Sequence, residues 1–213
     1  LKSKLALINK LTPQGRLLDY GCGTGAFINT CKKNGWTVSG VELDDDARNI
    51  AQTHTHTTIV PSYEQLDNNI KFDIISLWHV LEHVSNLNET IVELKHKMVK
   101  KGRLIVAVPN HDSLDQQIYK QHWAAYDLPR HLYHFNQKTI KAIMKRHQLK
   151  LIETHPMKMD AYYVSLLSEQ HLKADHKSKG NMFVNAIING YKSNTYAKNN
   201  QNNYSSLIYV FEK

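Results

Sequence analysis

The chain is poor in the features that hold small secreted scaffolds together. Only two of its 213 residues are cysteine, Cys22 and Cys31. That is too few for a disulfide framework in a chain of this size, so both are read as reduced thiols of a cytoplasmic protein. Long hydrophobic runs are also missing. The longest mostly apolar stretch, IISLWHVL, falls well short of the roughly 20 residues that cross a bilayer, so no membrane partner is expected. No stretch has the pattern of a secretory leader. Acidic residues are the scarcer charge, with 19 Asp and Glu against 27 Lys and Arg and a net charge of +8. Such an excess suits an anionic partner such as RNA. The basic residues are scattered, however. KHKMVKKGR (95 to 103) and KAIMKR (141 to 146) fall in amphipathic helical patterns, where lysine forms the wet face. The aromatic interleaving used by single-strand binders is missing.

What is present is ordinary for a globular domain: 41% hydrophobic and 22% charged residues, in a chain long enough to bury a substantial core. Leu5 to Leu11 reads as the end of a helix, and the chain opens already inside that pattern. Residues 1–14 are therefore expected to be the end of an N-terminal helical segment that starts earlier. RLLDY (16 to 20), WTVSGVE (36 to 42), TTIV (57 to 60), FDIISLW (72 to 78) and RLIVAV (103 to 108) read as strands. Helical patterns separate them: AFINTCKKNG with Gly35 at its end, a helix opened by Asp44, Asp45 and Asp46, and one carrying Ile91, Leu94 and Met98 and ending at Gly102. Strands alternating with helices predict an α/β, doubly wound, mostly parallel sheet. Beyond it come helix-like 113 to 122, a helix with Ile140, Ile143 and Met144 on one face, and strand-like 149 to 155 and 205 to 212. Residues 157–203 form a helical and loop insertion, with helices at 160 to 172 and 182 to 190. The whole chain, 1–213, is read as one domain.

The informative motif is LLDYGCGTGAF, in which a strand delivers Asp19 to a turn containing Gly21, Gly23 and Gly25. Glycines there accept positive φ and let a ligand approach the backbone. A dinucleotide site uses G-x-G-x-x-G to seat a pyrophosphate on a helix N-terminus. The spacing here is G-x-G-x-G, and an aspartate just ahead of it suits a cation better than a phosphate. Glu42, at the end of the second strand, stands at the sheet edge where open α/β proteins bind ligands, and a carboxylate there can accept from both hydroxyls of a ribose. Together these residues describe an adenosine carrying an amino acid.

DYGCGTG, VELD and FDIISLWHVLEHV, in that order and spacing, resemble the class I S-adenosylmethionine-dependent methyltransferases over residues 15 to 110. The resemblance implies a Rossmann-like methyltransferase fold of seven strands with the last antiparallel, and S-adenosylmethionine as cofactor. It also implies that Asp19 and the backbone of Gly21, Cys22 and Gly23 hold the methionine part, Glu42 the ribose and Leu43 the adenine. Trp78 and His79 would line the methionine side. The family often has an acidic residue after the third strand for the adenine amine. This chain reads IVPSYEQL there, leaving Ser62 or Tyr63 for that contact.

Methyl transfer from a sulfonium is an in-line displacement that requires positioning and no metal, and a hydroxyl acceptor benefits from a base with a pKa near neutrality. Thirteen histidines are available. His54 and His56 fall at a helix end and are expected to be exposed. His79, Glu82 and His83 follow the fourth strand on a helical turn, with His79 and His83 on one face. No third ligand at a matching spacing follows, so cofactor and substrate contacts are expected there, and no metal. DLPRHLYHF (127 to 135) follows the fifth strand, with Asn136 as N-cap of the next helix. His131 is expected to be the base or an acceptor contact, with His83 second; Arg130 and His134 are expected to bind the acceptor, Arg130 orienting a polar or anionic group and His134 lying nearer the following helix. The expected activity is methylation of a small-molecule acceptor at a hydroxyl oxygen, similar to the quinone-biosynthesis O-methyltransferases. The rival readings are an RNA methyltransferase and a non-catalytic cofactor-binding module.

Overall fold

A computed structural model describes residues 1–213. Seven strands, β1 (Arg16–Tyr20), β2 (Thr37–Val41), β3 (Ile59–Val60), β4 (Phe72–Trp78), β5 (Met98–Pro109), β6 (Lys150–Pro156) and β7 (Ser206–Glu212), form one sheet in the order β3-β2-β1-β4-β5-β7-β6. β1 pairs in parallel with both β2 and β4, and β7 runs antiparallel to β5 and to β6. Strand order therefore reverses between β1 and β4, and the crevice beyond their C-terminal ends is where such sheets bind ligands.

Eight helices accompany the sheet: α1 (Lys2–Leu11), α2 (Ala26–Lys33), α3 (Asp45–Thr55), α4 (Leu87–Lys97), α5 (Leu114–Tyr119), α6 (Gln137–Arg146), α7 (Lys158–Ala174) and α8 (Met182–Asn199). Consecutive strand residues point to opposite faces, and here both faces are covered. Leu18, Ile75 and Leu104 pack with Ile91 and Leu94 of α4 and Ile140 and Met144 of α6. Leu17, Ile74 and Ile105 pack with Ile8 of α1 and Phe27, Ile28 and Cys31 of α2. The adjacent apolar pairs Leu17–Leu18 in β1 and Ile74–Ile75 in β4 follow from this double burial.

The helix starts are chemically explicit. Asp44 is the N-cap of α3, its carboxylate accepting from the Ala47 amide at 2.8 Å, an interaction worth about 1 kcal/mol. Asn136 forms a reciprocal capping box with Thr139 at α6.

Three elements differ from the sequence expectation. α4 ends at Lys97, and Met98 opens β5 opposite Phe72, so β5 is longer than RLIVAV and carries an irregularity before Arg103. Met98 is buried, and a helix stripe and a strand both bury a methionine at that spacing. α8 runs through Gly190 to Asn199, taking in the first residues of the KNNQNN run. Gly190 is no terminator: a Cβ there would stand 2.6 Å from the Tyr162 ring, so the glycine permits the close crossing of α7 and α8. Finally, the segment 113 to 122 is helical only through Tyr119 and then tightens into a 3-10 turn.

Candidate functional site

β1 carries Asp19 to the point where strand order reverses, and the turn that follows holds Gly21, Gly23 and Gly25 at φ of 73°, 54° and 79°. The three glycines serve different ends. A Cβ at Gly21 would lie 2.5 Å from Val80 Cγ2, and one at Gly25 would lie 2.9 Å from Ala51 Cβ, whereas one at Gly23 would meet nothing within 4 Å. Gly21 and Gly25 are thus needed for packing, and Gly23 presents bare backbone to open space. The Gly23 amide donates to Glu42 Oε2 at 2.7 Å, and the Asp44 amide donates to Oε1 at 3.0 Å. Two backbone donors from opposite sides hold the Glu42 carboxylate in one orientation.

Asp19 is 2% exposed and accepts from Ser76 Oγ at 2.6 Å. Burial raises its pKa to about 7, against the Ser76 hydrogen bond and the positive charge of Lys4, with Glu42 adding to the rise. A cation arriving beside Asp19 would convert it fully to the carboxylate. Lys4 of α1 has its ammonium 4.1 Å from the Trp78 ring centroid, a cation–π distance. Burial lowers its pKa, while Asp19 and Asp160 pull the other way. The Trp78 indole Nε1 is buried and has no hydrogen-bond partner. Sequence reasoning missed Lys4 and Asp160; neither stands in a motif, and only the fold brings α1 and α7 here.

Above the turn lies a cavity of about 600 Å³. Of the residues anticipated from sequence, Gly21, Glu42, Leu43, Ser62, Trp78, His79 and His83 line it, with Tyr63 beside Ser62. Its wall includes Glu42, Glu64, Glu89 and Glu93 and no lysine or arginine. The Cys22 thiol turns into the core, where a Cβ on Gly40 would lie 2.9 Å from its Sγ. Burial pushes that thiol up to about 12, so Cys22 can offer a ligand only its backbone.

The histidines are arranged otherwise than a helical turn would arrange them. His79 is left-handed at φ 58°, and the following turn is a single 3-10 turn, Leu81–His83. His79 and His83 therefore share no helix face. Instead the His79 ring bridges Glu82 Oε1 at 3.3 Å and Asp160 Oδ2 at 3.0 Å. Burial disfavours its imidazolium, but the bonds to Asp160 and Glu82 outweigh this and raise its pKa to about 9.

His83 meets His131, ring centroids 4.6 Å apart and nearly perpendicular. Each directs Nδ1 at a backbone carbonyl, His83 at Arg130 O (3.0 Å) and His131 at Ala125 O (2.8 Å). A carbonyl can only accept, so both Nδ1 atoms carry hydrogen and, in the neutral rings, both Nε2 atoms keep a free lone pair. Burial lowers the His131 pKa. Glu82 is fully buried, and its Oε2 has no partner. Donor atoms of Glu82, His83 and His131 lie within 4.8 Å of one another, a two-histidine, one-carboxylate set of the kind that can hold a divalent cation. The third ligand absent from the local spacing is supplied by the loop after β5.

That loop is tied to the turn after β4 by the Leu132 and Tyr133 amides, which donate to Glu82 O at 2.8 and 3.3 Å. None of its residues 127–135 lines the cavity. His131 is 9% exposed and stands one ring behind His83, which is the histidine that faces the cavity. Arg130 points outward and pairs with Asp127. His134 is exposed, with Nε2 at 3.0 Å from Tyr126 O. Neither Arg130 nor His134 lines the cavity: Arg130 is paired with Asp127 and His134 is bonded to the Tyr126 carbonyl. His54 and His56 are exposed, as expected.

Comparison with known proteins bears on the family and the fold. A ubiquinone biosynthesis O-methyltransferase of Rhodopseudomonas palustris is 28% identical over 151 residues, covering 65% of this chain and 59% of the relative. The enzyme of the same description from Glaesserella parasuis is 30% identical over 122 residues, covering 50% and 52%. The chain thus spans between half and three-fifths of the length of these relatives. Among solved structures, a SAM-dependent methyltransferase from Archaeoglobus fulgidus superposes with TM-score 0.62 at 21% identity, covering 100% of this chain and 92% of the other. Phosphoethanolamine N-methyltransferase 2 of Haemonchus contortus, in complex with S-adenosyl-L-methionine, superposes with TM-score 0.64 at 18% identity, covering 100% and 52%. At these identities the structures speak for the fold: the seven-stranded sheet with β7 antiparallel is the Rossmann-like methyltransferase fold. The family model described as "Methyltransferase domain" matches residues 1–154, β1 through most of β6 included, and the chain belongs to that family.

Proposed function

We propose that this chain is an S-adenosylmethionine-dependent methyltransferase that methylates a small-molecule acceptor at a hydroxyl oxygen. The observation that carries the reading is the pairing of buried Asp19 with amide-anchored Glu42 across the open backbone of Gly23. The residues fit the cofactor. Gly23 leaves room for it, Trp78, whose Nε1 has no partner, lines the cavity, and a buried carboxyl that ionises near pH 7 suits an α-ammonium group. Relatives named as ubiquinone O-methyltransferases and a neighbour solved with S-adenosylmethionine support the same assignment. The cavity wall of glutamates without lysine or arginine is a poor seat for a phosphodiester backbone, which favours a small molecule over RNA.

When bound, the cofactor supplies an electrophilic methyl group on a sulfonium. Asp19 would accept from the α-ammonium, and Lys4, the cation beside Asp19, would face the α-carboxylate. Each Glu42 oxygen, holding one amide bond, keeps a lone pair for a ribose hydroxyl. Leu43, Ser62 and Tyr63 would border the adenine. His83 Nε2 takes the proton of the acceptor hydroxyl, and His131 and Glu82 hold His83 in place.

Titration calorimetry with S-adenosylmethionine and S-adenosylhomocysteine tests the cofactor half of the reading, and absence of binding by both would overturn it. A turnover screen against phenols, sugars, carboxylic acids and tRNA tests the acceptor half. Methylation of a phenol or sugar hydroxyl is expected, and turnover confined to tRNA would replace the small-molecule reading with the nucleic-acid one.

A further inference from the structure

α8 is amphipathic in the reverse sense of an ordinary surface helix. Its buried side carries small or polar residues, Ala186, Gly190, Ser193, Asn194 and Ala197, packed toward α7 and α5. Its outward side carries the large apolar ones: Phe183, Val184, Ile187, Ile188 and Tyr191 are 61%, 51%, 62%, 44% and 64% exposed. At 100° per residue these five cover one continuous stripe. On α7, Met159 and Tyr163 are also more than half exposed. A patch of this kind marks an interaction surface. The hairpin lies beyond residue 154, where the family match ends.

Charge identifies the occupant. Between residues 171 and 199 stand Lys173, Lys177, Lys179, Lys192 and Lys198, all exposed, and Asp175 is the only acid. Lys177 and Lys179 precede the stripe, Lys192 borders it, and Lys198 follows two turns beyond Tyr191 on the same face. In a face-to-face pairing of two copies, the same cationic rim would meet itself. An anionic lipid surface satisfies both parts, accepting the apolar side chains at the acyl boundary and the lysines at the headgroups.

We propose that the α8 stripe and its lysine rim dock this protein on anionic lipid bilayers. No helix is long and apolar enough to cross a membrane, and lying in the interface asks for no such length. The hairpin touches the cavity through Asp160 and His79, so docking would also set which side of the site faces the lipid. The proposal does not depend on the identity of the acceptor.

The test is co-sedimentation with vesicles of phosphatidylcholine alone and of phosphatidylcholine containing phosphatidylglycerol. Binding to the anionic vesicles is expected to be at least about tenfold tighter than to neutral ones and to weaken with salt. Ile187→Asp and Phe183→Asp, at exposed positions, should each lower it by about tenfold or more, with unchanged circular dichroism and unchanged cofactor affinity. Absence of binding to anionic vesicles at low salt would overturn the proposal. Binding indifferent to both substitutions would do so too, since it would place the lipid contact elsewhere. A dimer in analytical ultracentrifugation that Ile187→Asp dissociates would make a second copy the occupant and equally overturn it.

Discussion

His79 Nε2 lies 3.0 Å from Asp160 Oδ2, so the end of β4 and the first turn of α7 share a proton. This bond crosses from the segment that the family model matches to the helical hairpin after it, and it joins a residue on the cavity wall to one that no motif marks. His79 also leans on Glu82, which backs His83, so hairpin and acceptor-side histidines form one chain of contacts.

Asp160→Asn tests that link. The folded-state pKa of His79, about 9, lies above its ordinary 6.5. Its contribution to stability is therefore complete below about 6.5 and fades as pH rises through about 9. With asparagine at position 160, the His79 pKa measured by NMR should fall, and the drop in melting temperature between about pH 7 and about pH 10 should become shallower than in the parent. An unmoved His79 pKa would count against the pairing.

Asp19 has the opposite linkage. Its pKa is raised from 3.8 to about 7, so the folded protein binds the proton more tightly than the unfolded chain, and stability falls as pH rises across that interval. An α-ammonium group favours the ionised form. Cofactor affinity should therefore climb as pH rises through about 7, with a proton released on binding, detectable by calorimetry in buffers of different ionisation enthalpy. Asp19→Asn should raise the melting temperature of the free protein at about pH 8, because it removes a buried charge. The same change should weaken cofactor binding by about tenfold or more. Lower stability together with unchanged affinity would mean that Asp19 serves only the turn.

Much of this site is legible before any coordinates. The glycine turn, Asp19, Glu42 and the strand that ends at Trp78 are short-range patterns, and the paired apolar residues of β1 and β4 mark strands buried on both faces. What escaped depends on distance in the chain. His79 reads as helical because nothing local announces φ 58°. His131 joins His83 and Glu82 only once the loop after β5 folds back onto Glu82 O. Gly190 reads as a helix end because its partner, Tyr162, is remote in sequence. An apolar stripe likewise reads as core until the fold turns it outward, as in α8.

The motif glycines differ in a way that substitution can separate. Gly25→Ala would drive a Cβ to 2.9 Å from Ala51 Cβ and 3.0 Å from Ala51 Cα, on a backbone that disfavours it, so a loss of more than about 2 kcal/mol is expected. Gly23→Ala meets no neighbour and pays only for its positive φ, about 1 kcal/mol. Its methyl would nevertheless occupy the space left for a ligand. Thermal melts should rank Gly25→Ala as the greater structural loss, while calorimetry shows cofactor binding severely weakened in Gly23→Ala although that variant stays folded. Normal affinity in Gly23→Ala would remove the open backbone from the site.

The two acceptor-side histidines should separate in the same manner. His83 faces the cavity with Nε2 free, so His83→Ala should lower turnover by about 10²- to 10⁴-fold, the range for loss of a general base, with cofactor affinity within about threefold. His131 acts through the ring it packs against, and its replacement by alanine frees His83 to rotate. A smaller fall is expected, and His131→Gln, which keeps a polar side chain against the His83 ring, should restore part of it. Turnover of the three variants side by side decides between the roles. A fall in His131→Ala as deep as in His83→Ala, with no recovery in His131→Gln, would make His131 the proton acceptor and His83 its neighbour.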